Sequence, residues 1–254
     1  MQCPKAVFFD LDDTLAPSFE NPSPEIVGKL LAVLDSLPVA IITGRDFPWM
    51  ARDFLPQIAR SPHVERFFVF PEGAAQCLQW NGSEWRELYA ESITDAERQV
   101  INGAILESVK ETGVLEGLPV HGEQLVQKKA MVAFAALGMQ VPADLKYSWD
   151  PGNTRRTKLR DAIAKKLPAY DVMMGGATST DVTKKGVNKA YGVRWLSERL
   201  GVHPADMLYV GDALYPGGND YVVVPSGIVT RATKGPAETL KIIDELLLAC
   251  ATRT

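Results

Sequence analysis

The chain has 254 residues, 46% of them apolar and 23% charged, enough for one large core or two smaller ones. Its net charge of −4 excludes the basic field that binding to a nucleic-acid backbone requires, and no arginine-rich stripe supplies one locally. No apolar run approaches the length of a bilayer span, and the opening MQCPKAVFFD leads straight into a strand rather than a signal peptide, so the expected location is the cytoplasm. Cys3, Cys77 and Cys250 are few, odd in number and distant in sequence, which fits a reducing compartment without a CxxC metal or redox pair. His63, His121 and His203 have no ligand spacing.

Residues 7–9 are continuously apolar, as in a parallel strand covered on both faces. Asp10, Asp12 and Asp13 then arrive within four positions. An unpaired buried carboxylate costs several kcal/mol, so a positive partner is required, and a hard cation such as Mg2+ suits oxygen ligands. The plain alternative is a capped turn with solvated acids. A loop rich in Pro and Ser follows over 17–24, with Ser23 as N-cap and Pro24 as the first residue of a helix. Ile26, Val27, Leu30, Leu31, Leu34 and Leu37 recur at helical spacing until Pro38 ends the run. Residues 39–42 form a second buried strand that delivers Thr43, Gly44 and Arg45. In such a βαβ unit ligands gather beyond the carboxyl ends of the strands, which places Thr43 near Asp10. A hydroxyl, a glycine and an arginine together suit a phosphate oxygen.

The pattern predicts a helix over 47–58, a strand over 67–70 and a hairpin over 80–85 around Asn81-Gly82. Thr94 and Glu97 have the form of a capping box opening a long helix that ends near Gly113. Residues 123–137 and 170–183 each read as a strand pair, with a basic helix over 153–167 between them. Arg155 and Arg156 are read as surface charges at its start. This αββαββ order differs from the βα alternation before it, so 80–185 is expected to be an inserted domain within a core of 1–79 and 186–254. The core resumes with a helix at Lys189, a strand over 207–210 ending in Gly211 and Asp212, then Asn219 and Asp220. A strand over 221–224 and an amphipathic helix from Pro236 complete it. The fold class is α/β: a Rossmann-like, doubly wound parallel-sheet core with an α+β insert.

Asp10, Asp12, Thr43, Lys189, Asp212, Asn219 and Asp220 thus converge on one end of the sheet. Asp212 completes a carboxylate set for Mg2+, which would screen an incoming phosphate from Asp10. Lys189, a point charge, would hold the nucleophile and neutralise the transferring group.

These motifs resemble those of the haloacid dehalogenase superfamily with a type IIB cap, over nearly the whole chain. The resemblance implies that Asp10 is the nucleophile forming an aspartyl-phosphate and that Asp12 is the general acid/base. Thr43 and Lys189 match the second and third motifs. Gly211-Asp212 with Asn219-Asp220 matches the fourth, Asp212 being a metal ligand beside Asp10 and the backbone carbonyl of Asp12. Gly is more usual where Asp13 stands. Gly175-Gly176, the 179–189 stretch and Pro216 to Asp220 resemble the phosphomannomutase branch. Mutases of that branch hold a second phosphate with arginines, whereas here Lys128 or Lys129 stands for one and Met139 or Gln140 for the other. The expected function is therefore a Mg2+-dependent phosphohydrolase acting on a sugar phosphate, with phosphomannomutase as the alternative. Gly44, Arg45, Lys128, Ser179 and Asp181 are the expected substrate contacts, with Asp181 either accepting from sugar hydroxyls or pairing with Lys184. The expected partner is a small phosphorylated molecule, with neither nucleic acid nor membrane; no oligomeric state is assigned. A receiver-type phosphoacceptor domain shares the acids, Thr and Lys, but would be about half this length and lack the insert.

Overall fold

The computed structural model describes residues 2–18 and 20–251; residue 19, in the loop expected over 17–24, lies outside them. The chain divides into two compact units, Met1–Ala90 with Lys189–Thr254, and Glu91–Asn188. It runs β1 (Ala6–Asp10), α1 (Pro24–Ser36), β2 (Val39–Ile42), α2 (Phe47–Asp53), α3 (Leu55–Ile58), β3 (Phe67–Phe70), β4 (Gln76–Trp80) and β5 (Trp85–Ala90). The second unit holds α4 (Asp95–Thr112), β6 (Leu125–Gln127), β7 (Val132–Ala135), α5 (Ala143–Ser148), α6 (Thr154–Lys166), β8 (Tyr170–Met174) and β9 (Ser179–Lys184). Then α7 (Lys189–Leu200), β10 (Met207–Gly211), β11 (Val229–Ala232) and α8 (Pro236–Ala251) complete the first unit. Among the described residues, no helix is long and apolar enough to cross a membrane.

The first unit is built on one sheet of order β11-β10-β1-β2-β3-β4-β5, parallel from β11 to β3 and antiparallel beyond. All five residues of β1 are buried because both faces are covered. Val7 and Phe9 pack with Ile26, Leu30 and Leu34 of α1 and Ile242, Ile243 and Leu246 of α8. Phe8 points the other way, with Val193 and Leu196 of α7 and Tyr209 of β10. This two-sided burial is why the strand reads as an unbroken apolar run. Because β1 pairs with β2 on one side and β10 on the other, the chain leaves its carboxyl end in two directions, opening the crevice where ligands of such sheets bind.

In the second unit the strands order as β6-β7-β9-β8, all antiparallel. Val132, Phe134 and Val182 turn one face toward Ile101 and Ile105 of α4 and Leu159 and Ile163 of α6. By alternation, Asp181 and its cross-strand partners Ala133 and Met173 occupy the opposite face. Thr94 and Glu97 form both halves of the capping box of α4, and Gly113 closes it in the left-handed conformation, φ 60°.

Several expectations need correction. The 80–85 hairpin opens no insert: β4 and β5 extend the core sheet, and the contact division falls after Ala90 and before Lys189. The helix expected over 47–58 is two short ones, because Pro56 has no N–H to continue the ladder. Residues 221–224 form no strand. They lie in a 3-10 segment, Tyr221–Ser226, in which only Val223 is buried, and the edge strand is β11 instead. Arg156 is not a surface charge but is buried, pairing with Asp150, which also accepts the Arg155 and Arg156 N–H groups at the start of α6. Its guanidinium donates to the carbonyls of Gly175 and Gly176, fixing the turn between β8 and β9. Finally, Cys3 and Cys250 are joined in a disulfide that ties the segment before β1 to the end of α8, so only Cys77 matches the expectation of free thiols.

Candidate active site

The carboxyl end of β1 delivers Asp10, 4% exposed, and the first residue of α7 delivers Lys189, 3% exposed. Lys189 Nζ donates to Asp10 Oδ1 and to Asp220 Oδ1, each at 2.7 Å. Carboxylate oxygens of Asp10, Asp212 and Asp220 lie within 4.8 Å of one another. Asp220 Oδ1 also accepts from the Tyr209 hydroxyl at 2.5 Å, and its Oδ2 accepts from the Ala213 N–H at 3.0 Å. Asp212 Oδ1 accepts from Thr14 Oγ1 at 3.3 Å. A Cβ at Gly211 would strike the Asp220 carboxylate and the Tyr209 ring, so this position admits no side chain without moving both.

Three carboxylates therefore share one ammonium. Burial lifts Asp10 well above the ordinary carboxylate range, with Lys189 opposing and Asp220 and Asp212 reinforcing the rise. Asp212 is pushed up to about 6, first by burial and then by Asp220. Burial works against the charge on Lys189, but Asp10 and Asp220 outweigh it and hold the lysine above its ordinary value. The Tyr209 phenol is likewise raised, by burial and then by Asp220, and remains a donor. This excess of buried negative charge fits a divalent cation held by oxygen ligands.

Asp12 stands outside the three-carboxylate cluster. Arg45 Nε donates to both of its oxygens at 3.1 and 3.0 Å, and Arg45 Nη2 donates to Oδ1. The same guanidinium lies 3.9 Å from the Trp49 ring centroid. Arg45, expected to contact substrate, holds the Asp12 carboxylate, because its fork matches a carboxylate two-pronged. If Asp12 binds a cation, its backbone carbonyl is the available group. Thr43 is fully buried one residue beyond β2; its hydroxyl accepts the Arg45 N–H at 3.1 Å, leaving the hydroxyl hydrogen to donate. Asp13 explains the departure from glycine in the first motif. Its φ is 57°, and its side chain accepts from Ser18 N–H and Oγ, both at 3.1 Å, a local pairing that lets an aspartate take the left-handed conformation.

Residues 31–249 match the family described as eukaryotic phosphomannomutase. The chain belongs to that family. The phosphomannomutase of Spinacia oleracea is 22% identical over 94% of this chain and 94% of its own length. Among solved structures, the IMP-bound, N-terminally truncated IMP-nucleotidase of Plasmodium falciparum covers 96% of this chain and 68% of its own, with TM-score 0.75 and 16% identity. The C-terminal domain of Candida albicans trehalose-6-phosphate phosphatase covers 98% and 93%, with TM-score 0.65 and 18% identity. A haloacid dehalogenase-like hydrolase of Bacteroides thetaiotaomicron covers 96% and 99%, with TM-score 0.62 and 12% identity; at these identities the likeness shows the haloacid dehalogenase fold alone. As a phosphomannomutase-family chain of that fold with a buried acidic cluster, it is an enzyme of phosphatase or mutase chemistry.

Of the expected site residues, Asp10, Lys189, Asp212 and Asp220 come together in the first unit, and Asp12 and Arg45 pair there with Thr43 and Gly44 beside them. Asn219 precedes Asp220, its Oδ1 buried without a hydrogen-bond partner among the described residues. Lys128, Ser179 and Asp181 lie in the second unit, where a Cβ on Gly175 would collide with the side chains of Ser179 and Asp181. The glycine thus leaves room for those two polar groups to converge. Sequence reasoning missed Tyr209 and Thr14. The signal for Tyr209 was a hydroxyl-bearing ring two residues before a glycine in an otherwise apolar strand.

Proposed function

We propose that the chain transfers the phosphoryl group of a hexose phosphate through a covalent intermediate on Asp10, with Mg2+ as cofactor. The observation that carries this is Asp10 held by Lys189 at 2.7 Å beside the carboxylates of Asp212 and Asp220. Asp10 attacks phosphorus, and Asp12, oriented by Arg45, protonates the leaving oxygen and later deprotonates the acceptor. Lys189 holds Asp10 in place and offsets charge on the equatorial oxygens; the Thr43 hydroxyl donates to one of them. Mg2+, held by Asp10, Asp212 and the Asp12 carbonyl, would screen the phosphate from the nucleophile's charge. Lys128, Ser179 and Asp181 are the sugar-contacting candidates of the second unit.

For the fate of the phosphoryl group, family membership and full-length likeness to phosphomannomutases support its return to a sugar hydroxyl, interconverting hexose 1- and 6-phosphates. One observation favours hydrolysis instead. Met139 or Gln140 is expected where mutases carry an arginine for the second phosphate; neither has a charge to offer an anion, and Met139 is 49% exposed. Mannose 1-phosphate with Mg2+, supplied with and without a hexose bisphosphate, distinguishes the two. Mannose 6-phosphate as product supports the mutase, free phosphate as sole product supports the phosphatase, and no turnover of any phosphomonoester overturns both.

A further inference from the structure

Tyr209 is fully buried on β10, its ring 6.2 Å from that of Phe8 and nearly parallel to it at 23°. Its hydroxyl donates to Asp220 Oδ1, the same oxygen that accepts from Lys189, and Lys189 also donates to Asp10. A continuous chain therefore runs from Tyr209 through Asp220 and Lys189 to Asp10. Gly211 is the position that lets Tyr209 and Asp220 meet.

We propose that Tyr209 is a positioning residue whose hydroxyl, acting through Asp220, sets how firmly Lys189 is held against Asp10. The inference rests on the reading of Asp10 as phosphoryl acceptor. Lys189 divides its charge between two carboxylates at equal distances of 2.7 Å. The phenol hydrogen bond takes up part of the negative charge on Asp220 Oδ1 and occupies one of its lone pairs, which weakens Asp220 as a competitor for the ammonium. Without the hydroxyl, Asp220 draws Lys189 more strongly, and Asp10 is less restrained. Less positive charge then faces the transferring group. Ordinary packing accounts for a buried tyrosine differently: the hydroxyl merely finds a partner, and its loss lowers stability alone.

The test uses the full chain with Mg2+ and its best phosphomonoester. Tyr209→Phe is expected to lower kcat roughly 5- to 20-fold while KM stays within about twofold, as for a group acting only in the transition state. In an Asp220→Asn background the same substitution is expected to cost less than about twofold, since the link is already cut. Equal losses in both backgrounds would overturn the proposal. A second readout needs no turnover: the 15Nζ resonance of Lys189, identified by its disappearance in Lys189→Met, shifts in substrate-free Tyr209→Phe. If that resonance stays where it is, the relay does not exist, whatever the kinetics and whether or not Asp220→Asn folds. Absence of activity in the wild type would instead strike the functional reading and leave the resonance to decide the relay.

Discussion

Replacing Asp10 by asparagine should do two opposite things to this protein. Asp10 Oδ1 lies 2.7 Å from Lys189 Nζ, an attraction of about 6 kcal/mol at an effective dielectric of 20. Its repulsions from Asp212 and Asp220, at separations no greater than 4.8 Å, amount to at least about 3.5 kcal/mol each on the same scale. Attraction and repulsion roughly cancel, so the burial penalty of the carboxylate, several kcal/mol, is left without compensation until a cation arrives. Asp10→Asn removes that charge and keeps an oxygen for Lys189 to bond. Allowing about 1 kcal/mol for the weaker neutral hydrogen bond, the metal-free variant should be about 1–3 kcal/mol more stable than wild type at pH 7.5. That corresponds to a rise in Tm of roughly 2–12 °C. Turnover should be lost, and saturating Mg2+ should stabilise the wild type more than the variant. Differential scanning calorimetry with EDTA and with Mg2+ measures both. A variant that melts lower than wild type in EDTA, or gains as much from Mg2+, would refute the charge argument.

Other consequences follow from the same contacts. Because Asp212 in the metal-free protein is pushed up to about 6 from 3.8, the folded state keeps a proton that the unfolded chain has released. Metal-free stability should therefore fall as pH rises from about 4 through 6, by at most about 3 kcal/mol, and the Tm gain on adding Mg2+ should grow over the same window. A Mg2+ effect independent of pH from 5 to 7.5 would contradict this. Arg45→Ala removes the guanidinium bonds that orient the Asp12 carboxylate and should cost about 10- to 100-fold in kcat on an alkyl phosphate. The loss should be smaller on an aryl phosphate whose leaving group needs no proton; equal losses would remove Asp12 from the acid's role. Cys3→Ser cuts a link between residues 247 apart and should cost about 2–5 kcal/mol, lowering Tm by roughly 4–20 °C, with dithiothreitol reproducing the loss in the wild type.

Local signals made the scaffold readable. Ser23 and Pro24, the Thr94 and Glu97 capping box, and the apolar runs ending in Asp10 and Asp212 each carry their structural meaning within a few residues. What escaped depended on partners far along the chain. The β4–β5 hairpin reads the same whether it opens an insert or extends a sheet; pairing with β3 decides it. Residues 221–224 have strand composition, but only Val223 finds a core to enter. Arg156 looked like a surface charge because no periodicity marks the buried Asp150 and the glycine carbonyls it meets. At the site, the acids and the lysine announced themselves, whereas the destination of the Arg45 fork and the hydroxyl of Tyr209 are matters of side-chain reach. Spacing cannot convey those.

The proposed chemistry bonds phosphorus to the Asp10 carboxylate. Rapid acid quench of the enzyme with Mg2+ and substrate, followed by peptide mass spectrometry, should find one added phosphoryl group on the peptide carrying Asp10, and none in Asp10→Asn. A phosphoryl group found on another residue, or steady turnover by Asp10→Asn, would show that Asp10 is not the nucleophile.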